Sequence, residues 1–298
     1  MKTTTKEDVE KIEINLFLEA LHQRYGYDFT HYAEASVRRR VRRFMEKNGY
    51  AQVSDMIPRL LYDDVFAQAA IHDFSITVTE MFRDPDFYQS VRKNVVPYLR
   101  TYPFIKVWHA GCATGEEVYS LAILLQEEEL YERATIFATD INEMALDRAR
   151  EGIYSLKDIR QYTLNYQKAG GLHSFADYYH AQYESAIMNQ SLKTNITFAS
   201  HNLVTDGVFG EMHLVFCRNV LIYFDRTLQN RVLGLFADSL NRGGFLCLGS
   251  KETLQFSNVA ERFKVVDEHE KIYQRRSMVT KPLSPVRDMS AAPRSYSA

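Results

Sequence analysis

The chain has 298 residues, of which 46% are hydrophobic and 25% charged, and a formal net charge of -2. That length holds one large domain, or a medium one with a small companion, and the composition excludes disordered, collagen-like and strongly basic proteins. No window approaches twenty uninterrupted apolar residues, and the polar, acidic start MKTTTKEDVEKIE lacks the apolar core of a signal peptide, so a cytoplasmic protein is expected.

From Val9 to about Tyr98 apolar residues recur at threes and fours, as in Ile12, Leu16, Leu18 and Leu21 or Val37, Val41, Phe44 and Met45, which predicts a small helical region. From Phe104 short apolar runs (IKVWHA, TIFATD, NITFAS, MHLVFC, GFLCLG) alternate with helical stretches, the pattern of a parallel sheet wrapped by helices. Residues 155–193, rich in Tyr, Gln, His and Ser around Gly170-Gly171, fit neither a core strand nor a crossover helix and read as an insertion, a small β-hairpin unit. FKVVDE and KIYQRR read as the closing strands, and after Ser277 few large apolar groups remain, so residues 277–298 are expected to be disordered. Cys112, Cys217 and Cys247 are odd in number, far apart and set in apolar runs, which predicts reduced, buried thiols and no metal site.

The strand ending at Ala110 runs into Gly111-Cys-Ala-Thr-Gly115 and then a helix, the place where a doubly wound sheet holds a nucleotide-like ligand. A second strand ends at Asp140, about twenty-five residues later, where a carboxylate accepts from ribose hydroxyls. Only two glycines form the turn, and Glu116 and Glu117 stand where a pyrophosphate would bind, so the charge favours a cationic ligand such as a sulfonium over NAD. Stabilisation of the helix N-terminus is the alternative reading of both acids.

Several ordered blocks now resemble one family, the CheR-type chemoreceptor glutamate methyltransferases. They are Arg24–Asp28, Ser36–Val41, Thr77–Arg83 with Asp84-Pro85, Val107–Ser120 with its Gly-Glu-Glu-Val-Tyr-Ser, Ala138–Ile141, Ala149–Tyr154, Phe216–Asp225 and Gly243–Glu252, and together they span roughly residues 10 to 275. The resemblance implies a Rossmann-like α/β methyltransferase domain over 86–276, a helical receptor-recognition domain and linker over 1–85, and a small β-subdomain at 155–193. It further implies S-adenosylmethionine as cofactor, S-adenosylhomocysteine as product, and methyl esters on glutamates of chemoreceptor helices. By motif position it places Thr77, Thr79 and Arg83 over the cofactor from the linker, Gly111 in the turn, Glu116 on the amino-acid portion and Asp140 on the ribose. It likewise places Asn202 and Leu203 near the adenine, and Asn219 and Val220 near the methionine end. The chain departs from the commoner pattern at Thr77 (often Asn), Val118 (Pro), His109 (a small residue) and Gly249-Ser-Lys-Glu252 (Gly-His-Ser-Glu). His109 reads first as a core residue with one satisfied nitrogen, ahead of a catalytic role.

A glutamate acceptor is ionised at neutral pH, so methyl transfer needs alignment and exclusion of water more than a general base. Arg83 is the first candidate to hold the carboxylate, with a pair to Asp84 or Asp86 as its structural alternative. Tyr223 is the second, either donating its hydroxyl or packing as an aromatic. The run Arg38-Arg39-Arg40-Val41-Arg42-Arg43 predicts a basic helix; without interleaved aromatics it suits an acidic protein helix better than nucleic acid, and Arg38, Arg39, Arg42 and Arg43 are the expected substrate contacts. No membrane insertion is expected, and a monomer is. A methyltransferase of another protein or small molecule, and a non-catalytic cofactor-binding adaptor, are the competing readings.

Overall fold

The computed structural model describes residues 5–74 and 78–277. The expected contact of Thr77, and all but the first residue of the expected disordered tail, lie outside the described residues. The first helix, α1 (Lys6–Tyr25), starts on a capping box in which Thr5 and Asp8 satisfy each other's backbone amides, and it stops at Gly26 with φ +79°. It is followed by α2 (Glu34–Lys47), α3 (Ile57–Tyr62) and α4 (Asp64–Phe74). Val37, Val41 and Phe44 of α2 join Phe17, Leu21, Phe66 and Phe74 in one buried cluster, so the helical region has its own core.

Two further helices, α5 (Pro85–Asn94) and α6 (Val96–Leu99), lead into β1 (Ile105–Ala110) and α7 (Glu116–Glu127), then β2 (Ala134–Asp140) and α8 (Glu143–Glu151). Next come β3 (Ile153–Ser155), α9 (Leu156–Lys168), β4 (Tyr179–Gln182) and β5 (Ser185–Met188). The chain then runs through β6 (Ile196–Ser200), β7 (Met212–Cys217), α10 (Arg226–Ser239), β8 (Leu240–Leu248), β9 (Phe263–Asp267) and β10 (Ile272–Arg275). Seven strands form one sheet in the order β6-β2-β1-β7-β8-β10-β9. The first five are parallel, and β10 is antiparallel to both β8 and β9. Alternate residues of β1 feed opposite faces: Val107 enters the core shared with α5, α7 and α9, and Trp108 the core shared with α10. The strand order turns at β1 and β7, and the crevice outside the carboxyl ends of those two strands is where this architecture binds ligands.

The inserted segment differs from a simple β-hairpin. Strands β3, β5 and β4 do form a small antiparallel sheet, beginning two residues earlier than expected, but α9 occupies the middle of the segment. Ile159, Tyr162 and Tyr166 fall at threes and fours and are buried, and Ser155 caps the helix by accepting from the Lys157 amide. Glu127 of α7 anchors this unit: it accepts from the Tyr178 hydroxyl (2.9 Å), the Leu172 amide (3.0 Å), the Tyr166 hydroxyl and Arg92.

The helical region docks on the loop after β7. Ala33 N–H donates to the Tyr223 carbonyl and Asp225 N–H to the His31 carbonyl, each at 2.8 Å. The Tyr32 and Phe224 rings meet edge to face at 5.0 Å, and His31 Nδ1 lies 3.0 Å from Asp225 Oδ2.

Candidate active site

The turn after β1 is built around backbone that only certain residues adopt. Gly111 has φ +74°, its amide donates to the Thr139 carbonyl (2.8 Å), and a Cβ here would stand 2.5 Å from Val220 Cγ2. Asp140, at the tip of β2, accepts from the Ala113 amide (2.8 Å, Oδ2) and the Asn142 amide (2.9 Å, Oδ1). Burial raises its pKa, against the pull of those amides. A carboxylate has about four acceptor positions, so two amide bonds leave capacity for ribose hydroxyls.

A cleft of about 650 Å³ opens beside this turn, and Gly111, Asp140, Asn202, Leu203, Asn219, Val220 and Tyr223 all line it. Tyr32, Arg40 and Phe74 of the helical domain complete its wall, a contribution absent from the sequence expectation. A second chamber of about 430 Å³ adjoins it, with Gly111, Asn219, Val220 and Tyr223 common to both. Thr79, Arg83, His109, Glu117 and Arg218 line the second chamber.

The two glutamates lie in different surroundings. Glu116, assigned to the amino-acid portion of the cofactor, lines neither space: it is buried and accepts from Thr114 Oγ1 at 2.6 Å, and burial raises its pKa to about 7. Glu117 faces the second chamber instead. Successive helical residues point about 100° apart, so only one of the pair can face the cleft.

What fixes Glu117 is Arg218, which the sequence reading did not single out. Arg218 is buried, pairs with Glu117 Oε1, reaches Asp84 Oδ2 at 2.7 Å and lies 3.9 Å over the Phe87 ring centroid. Its position was a signal: a cation directly after the apolar run LVFC must be paired on burial. Burial pushes the Glu117 pKa up, but Arg218, with His109 assisting, holds it at about 2. His109 Nε2 lies 3.0 Å from Glu117 Oε2, off the line of a well-formed hydrogen bond, and Nδ1 has no partner among the described residues, so His109 is buried as expected of a core residue but has no satisfied nitrogen and borders the second chamber.

Strained backbone surrounds the same space. Phe82, Asp84, Ala113 and Asn219 all have φ between +49° and +60°, conformations that cost non-glycine residues about 1–3 kcal/mol each. Glu252 holds the loop after β7 in place: its Oε2 accepts from the Asn219 amide (3.1 Å) and the Gly249 amide (2.6 Å), and its Oε1 from Ile222 (3.3 Å). The Gly-Ser-Lys-Glu block thus shapes the cleft without the histidine of the commoner pattern.

Arg83 is half-buried, and its side chain has no ion pair among the described residues, since Asp84 is taken by Arg218 and Asp86 stays exposed. Tyr223 faces both chambers; the Arg40 guanidinium lies 5.1 Å from its ring centroid, and its hydroxyl has no hydrogen-bond partner among the described residues. On α2 the basic run splits. Arg38 and Arg42 are tied to Glu10, Arg40 turns inward and donates to the Phe74 carbonyl, and Arg39 and Arg43 are exposed without ion pairs among the described residues. The three cysteines are buried and unpaired, and no helix among the described residues is long and apolar enough to cross a membrane.

This cleft fits an adenosine with a cationic tail: Asp140 keeps acceptor capacity, and Glu117 sets a carboxylate where a pyrophosphate would be repelled. The chain is 51% identical over 271 residues to the putative methyltransferase Cher3 of Pseudomonas putida, covering 91% of this chain and 99% of that protein. It is 30% identical to the chemotaxis protein methyltransferase of Listeria innocua, over 83% and 92% of the two chains. Against the chemotaxis protein methyltransferase of Salmonella typhimurium the identity is 32%, over 66% and 67%. Among solved structures, magnesium protoporphyrin IX methyltransferase of Synechocystis with bound S-adenosylmethionine overlays with a TM-score of 0.35 at 18% identity, over 75% of this chain and 96% of that one. Residues 12–75 match the CheR methyltransferase all-alpha domain and residues 77–272 the CheR methyltransferase SAM binding domain, so the chain belongs to the CheR methyltransferase family.

Proposed function

We propose that this S-adenosylmethionine-dependent methyltransferase esterifies glutamate side chains on the cytoplasmic helices of chemoreceptors, acting as a cytoplasmic monomer. The observation that carries the reading is Arg83, a half-buried guanidinium with no ion pair among the described residues, which lines the second chamber together with Tyr223, whose hydroxyl has no hydrogen-bond partner among the described residues. An acceptor carboxylate fits between them, with the guanidinium fork fixing one oxygen and the tyrosine hydroxyl orienting the group. The names of the relatives, chemotaxis protein methyltransferases, support the same acceptor class.

Bound S-adenosylmethionine supplies a methyl group already activated on sulfonium sulfur; transfer to a carboxylate oxygen forms the ester and leaves S-adenosylhomocysteine. The protein's share is positional. Asp140 holds the ribose, Asn202 and Leu203 flank the adenine, and Asn219, Val220 and Thr79 border the methionine end. Glu117, ionised at neutral pH, takes over the amino-acid ammonium from the role first expected of Glu116. The carboxylate acceptor needs no base, and bound cofactor and acceptor together would displace water from the second chamber. Arg39 and Arg43, exposed on one face of α2 and backed by Arg38 and Arg42, suit an acidic helix as the docking partner.

The test is incubation with methyl-labelled S-adenosylmethionine and receptor-bearing membranes. Base-labile label released as methanol is the expected result. Cofactor binding with no such label would move the acceptor to another protein or a small molecule.

A further inference from the structure

Tyr32 belongs to the helical domain, yet it lines the cofactor cleft together with Asp140. Its place is fixed from both domains. The ring packs on Phe29 of its own domain and on Phe224 of the other, edge to face and at 5.0 Å in each case, and its amide donates to the Phe29 carbonyl at 3.1 Å. The hydroxyl makes no hydrogen bond among the described residues, and it is not one of the unpartnered polar atoms sealed away from solvent. Burial raises the pKa of this phenol; the Asp140 and Asp28 carboxylates raise it further and Arg40 opposes them, so the hydroxyl keeps its proton at neutral pH. Lys11, Glu34 and Arg38, which line a separate groove that Tyr32 also borders, exert no such pull, so the hydroxyl stands on the Asp140 side of the residue. A donor from one domain and an acceptor carboxylate from the other thus share one cleft.

That pairing suits a sugar hydroxyl. A ribose hydroxyl has one proton and two lone pairs; when the proton goes to Asp140 the oxygen is left to accept, and a protonated phenol supplies the donor. We infer that the Tyr32 hydroxyl donates to the oxygen of a cofactor ribose hydroxyl whose proton is given to Asp140, so that the helical domain, and not the sheet alone, binds the cofactor. The inference rests on the ribose position proposed above.

Calorimetry with S-adenosylhomocysteine and with its 2′-deoxy and 3′-deoxy forms tests it. Wild type should bind the parent compound at least about tenfold more tightly than the form lacking the shared hydroxyl, since a hydrogen bond to a carboxylate and one to a phenol are lost together. Tyr32→Phe keeps the ring on Phe29 and Phe224 and removes only the phenol oxygen. It should weaken S-adenosylhomocysteine about five- to tenfold, leave that deoxy form within about twofold, and so cut the preference by roughly fivefold. A wild-type preference that survives Tyr32→Phe unchanged, whether or not all three ligands weaken alike, would reduce Tyr32 to packing and overturn the inference alone. Equal binding of all three ligands by wild type, a measurement that needs no variant, would overturn it together with the placing of the ribose on Asp140.

Discussion

Removing the Arg218 guanidinium by Arg218→Met tests how the floor of the second chamber is held. Glu117 is buried and paired with Arg218, and its carboxyl stands at about 2 in place of the ordinary 4.5. That lowering corresponds to roughly 3 kcal/mol of stability at neutral pH. Loss of one partner from a buried pair typically costs about 3–5 kcal/mol, so two routes give a similar size. The expected fall in melting temperature is about 6–12 °C for a chain of this length.

The pH dependence supplies a sharper signature. Because the folded pKa of Glu117 is depressed, its stabilising contribution is present above about 4.5 and is lost as pH falls through about 2. Without Arg218, burial holds the Glu117 pKa above 4.5 in the folded variant, so the stability gap between wild type and Arg218→Met should begin to shrink above pH 4.5 and go on shrinking to about pH 2. Comparing the gap cancels groups that titrate alike in both, such as Glu10, also held at about 2 by Arg42 and Arg38 against burial. Adding Glu117→Gln to Arg218→Met should recover part of the loss, since the orphaned charge is then gone. Denaturant unfolding from pH 7 to pH 2 measures all three proteins. A gap under about 1 kcal/mol at pH 7, or one that stays constant to pH 2, would refute the assignment of Glu117 and Arg218 as a stabilising pair.

Arg83→Lys keeps the charge but loses the fork, so methyl ester formation should fall roughly 10–100-fold while S-adenosylhomocysteine binding stays within about threefold; a matching loss of binding would return Arg83 to the cofactor alone. Gly111→Ala must place a Cβ 2.5 Å from Val220 Cγ2 on backbone at φ +74°, so both melting temperature and cofactor affinity should drop. Val220→Ala in that background should restore only part, because it relieves the clash and not the backbone strain. Replacing both Arg39 and Arg43 by Glu should abolish detectable receptor methylation at physiological salt and leave cofactor affinity unchanged by calorimetry; intact methylation would remove α2 from the docking face.

The glycine turn and Asp140 were legible because both depend on local geometry: a strand end, a positive φ and a fixed distance to the next strand tip. Which of Glu116 and Glu117 lines the second chamber was not, because Glu117 is held there by Arg218, a partner 101 positions away that no periodicity connects to α7. Helix α9 was hidden differently. Its buried face is made of Ile159, Tyr162, Asn165 and Tyr166, and tyrosine, with an apolar body and a polar tip, buries readily in structures while reading as polar in a sequence. Tyr32 and Phe74 carried no signature of the cleft at all, since each belongs to the core pattern of the helical domain and reaches the cofactor side only through docking on Tyr223 and Phe224.

Helix α2 shows most plainly what a charge run can conceal. Read along the chain, five arginines in six positions form one basic patch. A helix turns each successive residue by about 100°, so the same five must serve different surroundings. Arg38 and Arg42, one turn apart, converge on Glu10 and fasten α2 to α1. Arg39 and Arg43, also one turn apart, remain exposed. Arg40 alone points into the cleft, where it caps the last carbonyl of α4 and covers the Tyr223 ring. The helix that presents Arg39 and Arg43, without ion pairs among the described residues, to solvent is therefore the same element that lines the cleft through Arg40, and neither face can be redesigned without regard to the other.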